Sequence, residues 1–128
     1  MTYIYTLISL AALDSIWLFS MGSTYKAWLA HLFAPALTYL PIILFYPLYA
    51  AGVVFFVVAP ALRNGASLWQ VFLAGAFLGL ICYAAYDLTN HGTLRDWPLI
   101  VTVVDMAWGT LLTGLASVAA VSLTNYLK

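Results

Sequence analysis

The chain has 128 residues, of which 66% are hydrophobic and 6% charged, and its formal net charge at pH 7 is zero. Because soluble domains carry about 25% charged residues, this composition excludes a soluble globular protein. The balanced charge gives no support to nucleic-acid binding, and the single cysteine, Cys82, excludes an intrachain disulfide and a cysteine-based metal motif.

Four long apolar runs follow one another along the chain, at 2–21, 39–61, 67–90 and 98–126. Each reaches the length of about 20 residues that a helix needs to cross a bilayer. None shows the alternation of polar and apolar residues that marks the strands of a membrane barrel. The sequence therefore predicts an all-α integral membrane four-helix bundle, with residues 1–128 as one transmembrane domain and both termini on the same side.

The first run holds an acidic residue in apolar sequence. Asp14 and Trp17 are three residues apart and are expected on one helix face. No basic residue precedes this run, so we expect it to remain as a span and not to be cleaved as a signal peptide. The following connector contains Lys26 and His31 among apolar residues, which predicts a short interfacial helix that stops at Pro35.

The second run carries proline and tyrosine side chains, and the third carries spaced glycines. Pro47 lacks an amide hydrogen for the helical bond, so it predicts a kink in the second helix. Tyr46 and Tyr49 are three residues apart and share a face. Gly75 and Gly79 have the spacing that lets another helix approach closely.

Polar residues recur on one face of each of the last two runs. Tyr83, Asp87 and Asn90 form a stripe along the third run. Asp105 heads a stripe of small and polar residues in the fourth run, and Trp108 lies one turn further on. Because such a stripe packs on protein and not on lipid, we expect these faces to lie inside the bundle.

The predicted topology puts the three intramembrane aspartates in one leaflet. A carboxylate near a helix centre costs about 2.5 to 3.5 kcal/mol on insertion scales, and no lysine or arginine lies within a run to neutralise it. We therefore expect a shared polar pocket that opens to one membrane face, in which at least one carboxylate holds a proton. The expected substrate- or proton-binding residues are Asp14, Asp105, Asp87, Asn90, Trp17, Trp108, Tyr46, Tyr49, Tyr83 and His91.

Several segments together resemble one family of small membrane proteins. They are Y-D-L-T-N at 86–90, T-L-R-D-W-P at 93–98, D-M-A-W-G at 105–109, and L-D-S-I-W in the first run. Through these segments, which are spread over nearly the whole chain, the protein resembles domain of unknown function 2177, a family of four-span bacterial proteins. The resemblance implies a protein of the bacterial cytoplasmic (inner) membrane, and it adds no catalytic role to any residue.

Three functions are compatible with these features. The first is binding or transport of a proton-coupled or cationic small molecule, for which a homodimer would enclose more space than four helices do. The second is a membrane-embedded enzyme acting on a lipid or isoprenoid, with the aspartates and His91 as acid, base or metal ligands. The third is a structural or assembly subunit that binds a larger partner through its small-residue stripes. We favour the first over an enzyme, expect no metal or cofactor, and expect both termini in the cytoplasm.

Overall fold

The computed structural model describes residues 1–128 and contains four helices long and apolar enough to cross a membrane. They are α1 (Thr2–Trp28), α2 (Tyr39–Asn64), α3 (Leu68–Thr93) and α4 (Leu99–Tyr126). The structure contains no strand. The predicted all-α bundle of four spans is confirmed, and three of the helices extend beyond the apolar runs at their connector ends.

The structure does not confirm the short interfacial helix predicted between the first two spans. The helix α1 continues to Trp28, and the rest of the connector is turns and irregular structure as far as Thr38. Gly22 lies inside this longer helix, where a glycine costs about 1 kcal/mol relative to alanine. Packing of Tyr25 against Trp17, with ring centroids 6.1 Å apart, stabilises the added turns.

The second helix is irregular in its second half. Pro47 lies inside the helical segment Tyr39–Val53, and the helix continues past it, so the predicted kink stays a prediction. A π-helical turn follows at Val54–Val58, closed by the Ala59 amide donating to the Val54 carbonyl. Pro60 comes directly afterwards, and because its ring would clash with a carbonyl four residues back, a wider turn relieves the crowding.

The turn between α2 and α3 is set by local chemistry. Gly65 ends α2 in the left-handed conformation, with φ of 62°, where a side chain would be strained. Ser67 and Gln70 then form a reciprocal capping box: the Gln70 amide donates to Ser67 Oγ at 3.2 Å, and the Ser67 amide donates to Gln70 Oε1 at 3.0 Å.

The helices α3 and α4 form the closest pair because glycines remove the side chains between them. A Cβ built on Gly75 would lie 2.6 Å from Ser117 Oγ. A Cβ on Gly79 would collide with the Gly109 carbonyl oxygen and with the side chain of Thr113. The expected close approach at the glycine pair therefore occurs inside the chain, and the small-residue stripe of α4 is buried in the same contact.

The four spans are packed together in the half of the bundle that contains the chain termini. The π-helical segment of α2 contacts α1, α3 and α4 there, whereas Tyr39–Val53 packs mainly against α1. The two ends of the bundle therefore differ, one closed by apolar side chains and the other open between α2 and α3. The closed core consists of Leu10, Ala50, Val53, Val57, Val58, Ala61, Val71, Leu112, Ala116, Ala120 and Val121.

At the open end the first and third connectors meet. Leu29, Trp97 and Val101 form a small buried cluster, and the ring of His31 hydrogen-bonds the Asp96 carbonyl at 2.9 Å. The two connectors therefore lie on one side of the bundle, opposite the termini, as a four-span topology requires.

We expect Gly79→Ala to lower the free energy of unfolding by about 1 to 3 kcal/mol, because the new methyl group overpacks the α3–α4 contact. Gly52→Ala is the matched control in α2, since a Cβ there meets nothing within 4 Å. Denaturant titration in detergent, followed by circular dichroism, measures both. Equal stability of the two variants would contradict the close packing.

Candidate functional site

A cavity of about 530 Å³ occupies the open half of the bundle, beneath the first connector. Asp14 from α1 and Asp105 from α4 both line it, and Lys26 at the end of α1 is the one basic side chain in its wall. Five aromatic side chains of the spans make up much of the remaining surface. They are Trp17, Tyr25, Tyr83, Tyr86 and Trp108.

Asp14 is held by two neutral donors from different helices. The Tyr46 hydroxyl donates to Asp14 Oδ2, and the Trp108 indole N–H donates to Asp14 Oδ1 at 3.0 Å. The Trp108 ring stacks on Trp17, with centroids 4.5 Å apart and planes 4° from parallel. These contacts tie α1, α2 and α4 together at the level of the carboxylate, and Asp14 is 9% exposed.

Asp105 has more unused acceptor capacity than Asp14. It is half-buried, and its one hydrogen bond comes from the Tyr25 hydroxyl to Oδ1 at a long 3.3 Å. Because an ionised carboxylate can accept about four hydrogen bonds, most of this capacity remains for a ligand or for water. Asp105 is thus the carboxylate most available to a molecule in the cavity.

Asp87 lies next to Asp105 but is sealed from the cavity. Its side chain is fully buried, both carboxylate oxygens lack a hydrogen-bond partner, and the acidic group facing it is Asp105. No salt bridge reaches this pair, and burying an unpaired charge is strongly unfavourable. Two adjacent carboxylates without a counter-ion can be stabilised in two ways. They can share one proton, or a cation can bind beside them.

A second cavity of about 490 Å³ lies between α2 and α3. Pro41, Ile42 and Phe45 of α2 form one side, and Cys82 of α3 stands on the other. The two cavities share part of their walls. The shared residues are Tyr83, Tyr86 and Asp105.

The remaining predicted site residues are dispersed. Tyr46 and Tyr49 line the second cavity, and the Tyr49 hydroxyl pairs with Thr113 Oγ1 at 2.6 Å. His91 lies outside both cavities, where its Nδ1 pairs with Thr102 Oγ1 at 3.1 Å. Asn90 also lies outside them. No three histidine, cysteine or acidic side chains come together as a metal-binding group.

Sequence reasoning missed two tyrosines of the cavity wall. Tyr25 lies beyond the predicted end of the first span, although Trp17, Met21 and Tyr25 follow Asp14 at spacings of three, four and four residues. Extending this helical face by one turn would have found it. Tyr86 lies three residues after Tyr83, so the spacing that placed Tyr46 with Tyr49 would also have placed it with Tyr83.

Comparison with known proteins gives the family. Residues 1–122 match the family described as "Predicted membrane protein (DUF2177)", and the chain belongs to it. The resemblance read from the sequence is therefore confirmed. No curated protein and no solved structure matches the chain.

A double-mutant cycle tests the bond between Asp14 and Trp108. We expect Asp14→Asn and Trp108→Phe to be coupled by about 0.5 to 3 kcal/mol in the free energy of unfolding, because they remove the two partners of one interaction. Trp69→Phe is the matched control, since Trp69 is 65% exposed and stacks on Phe72, away from the cavity. Its effect should add to that of Asp14→Asn within about 0.5 kcal/mol. Additivity in both cycles would show that the indole does not hold the carboxylate.

Proposed function

We propose that this member of the DUF2177 family binds a small organic cation in the cavity between Asp14 and Asp105 and exchanges it for a proton. The observation that carries the proposal is the meeting of two carboxylates and seven aromatic rings, five of them on the spans, around one cavity of about 530 Å³. Ligand pockets have volumes of about 300 to 1,000 Å³, so a small organic molecule fits.

The chemistry of the wall favours a cation over an anion or a neutral ligand. Carboxylates supply charge, and the faces of Trp, Tyr and Phe rings attract cations with about 0.5 to 2 kcal/mol each. Asp105 has acceptor capacity to spare, while Asp14 is anchored by Tyr46 and Trp108. In the proposal Asp105 is the main counter-charge, and Trp17 and Tyr25 present ring surfaces.

The pair Asp87 and Asp105 supports proton exchange. In the absence of ligand, a proton between the two carboxylates removes the repulsion of two buried charges. A cation that settles against Asp105 takes over this neutralising role, so the proton leaves as the cation binds. Asp87 has no contact with solvent; the proton therefore passes through Asp105, which lines the cavity.

The closed half of the bundle supports access from one side at a time. Leu10 lies one helical turn from Asp14 toward the termini, Leu112 lies one turn from Trp108, and both are at most 1% exposed. This apolar layer separates the cavity from the termini side. The proposal keeps both termini in the cytoplasm, so the cavity opens to the outside, and release to the other side would require these leucines to part.

The other two functions gain less from the geometry. The lipid-enzyme hypothesis used His91 beside the aspartates, but His91 lies outside both cavities. The assembly-subunit hypothesis used the small-residue stripes of the last two helices, but these stripes pack against each other inside the chain. A homodimer stays part of the proposal, with an interface on other surfaces than these.

Cation binding can be measured with tetramethylammonium and protein in phosphatidylcholine nanodiscs, followed by tryptophan fluorescence. We expect Asp105→Asn to weaken the affinity at least about ten-fold, which corresponds to 1.4 kcal/mol, and Asp14→Asn to weaken it as well. Asp96→Asn, in an exposed loop, is the control and should bind like the unaltered protein. Unchanged binding in both intramembrane variants would remove the proposal.

Proton exchange has its own readout and sign. Because the cation displaces a proton, its apparent affinity should rise with pH, and weakly buffered protein should acidify the medium when tetramethylammonium is added. In Asp87→Asn the carboxylate of Asp105 has lost its like-charged neighbour, so we expect binding with fewer protons released per bound cation. A pH-indicator dye measures this ratio. Equal release from Asp87→Asn and from the unaltered protein would contradict the shared proton.

A further inference from the structure

The cavity between α2 and α3 is an apolar groove on the lipid-facing side of the bundle. Ile42 and Phe45 are 45% and 43% exposed, and Tyr86 on the opposite wall is 56% exposed. At this depth the surroundings are acyl chains. The groove is therefore accessible from the bilayer, and an alkyl chain is the natural occupant of its apolar surface.

The wall of the groove contains one charge. Asp105 is its one acidic residue, and no basic residue lines it. A molecule lying in the groove therefore meets a carboxylate, which attracts a cationic head and repels a phosphate or a carboxylate. Since Tyr83, Tyr86 and Asp105 line both cavities, a head that reaches Asp105 is already at the edge of the first cavity.

Tyr46 stands between the groove and the cavity. Its ring lines the groove and its hydroxyl donates to Asp14, which lines the cavity. A head moving toward Asp14 displaces this neutral hydroxyl with a positive charge. This displacement leaves the hydroxyl without its acceptor, so the head engages Asp105, which has one long hydrogen bond, more easily than Asp14.

We propose that the ligand is an amphipathic cation that enters sideways from the bilayer, with its alkyl chain in the α2–α3 groove and its cationic head against Asp105. This inference rests on the proposed function, because it names the substrate class for the same site. A small cation would need only the first cavity, whereas an amphipathic cation also uses the apolar groove to bind its alkyl chain.

Cys82 is the only cysteine of the chain and lines the groove, so its reactivity reports on what lies there. The protein in phosphatidylcholine nanodiscs is labelled with N-ethylmaleimide in the presence of tetramethylammonium or dodecyltrimethylammonium. The two cations are compared at equal occupancy, set by tryptophan fluorescence. At about ten times its dissociation constant, the long-chain cation should slow labelling roughly ten-fold, because occupied molecules are protected. Tetramethylammonium should leave the rate nearly unchanged.

The control is a chain with Cys82→Ala and Leu73→Cys, which puts the thiol on the lipid-exposed face of α3 outside both cavities. Neither cation should slow its labelling. In a second variant, Cys82→Trp, the indole fills the groove. It should weaken binding of the long-chain cation at least about ten-fold relative to tetramethylammonium.

The outcomes separate the two proposals. Equal labelling of Cys82 with both cations overturns the lateral groove, provided that tetramethylammonium binding still depends on Asp14 and Asp105. Equal loss of both cations in Cys82→Trp also overturns it. If tetramethylammonium binding does not depend on these aspartates, the proposed function fails, and the groove proposal fails with it.

Discussion

The structure depends on how it accommodates intramembrane carboxylates that form no salt bridge, since Lys26, the one basic side chain in the cavity wall, pairs with none of them. Each of these acids is costly in a bilayer, and the bundle accommodates them in three different ways. Asp14 receives two neutral hydrogen bonds. Asp105 faces a cavity with one long bond. Asp87 is buried against Asp105 without any donor. The hydrogen bonds to Asp14 hold α1, α2 and α4 together at this level. The chemistry proposed for the protein depends on Asp105 and Asp87.

The bundle is closely packed between α3 and α4 and open between α2 and α3, and the difference follows from its small residues. Gly75, Gly79 and Gly109 let α3 and α4 approach closely, because the side chains of Ser117, Thr113 and Tyr83 pack directly against the glycines. The first half of α2 has no comparable contact with α3, and bulky tyrosines at 46, 49, 83 and 86 fill only part of the gap. Close packing and the adjoining cavities are thus consequences of where the glycines lie.

Hydropathy and helical spacing were sufficient to predict the four spans, the glycine contact and the shared leaflet of the aspartates. They were not sufficient for the details that depend on tertiary packing. The continuation of α1 through Gly22 is stabilised by Tyr25 on Trp17. The π-helical turn at Val54–Val58 reflects a backbone clash at Pro60 that periodicity does not report. His91 lies four residues after Asp87, the spacing at which two side chains of a helix can bind one metal ion, but its ring hydrogen-bonds Thr102 across the α3–α4 contact.

The difference between the two cavity-lining acids decides how a ligand would be recognised. Asp14 accepts hydrogen bonds from Tyr46 and Trp108, which also hold the helices together, so displacing these donors costs about 1 to 3 kcal/mol for each donor left unsatisfied. Asp105 does not hold helices together in this way, because a ligand would replace only its one long hydrogen bond from Tyr25. A ligand of either cavity therefore gains most by engaging Asp105 first, and Asp105 is also the residue that faces Asp87. Binding and proton release are in this way assigned to the same carboxylate, which is the simplest arrangement by which one event can drive the other.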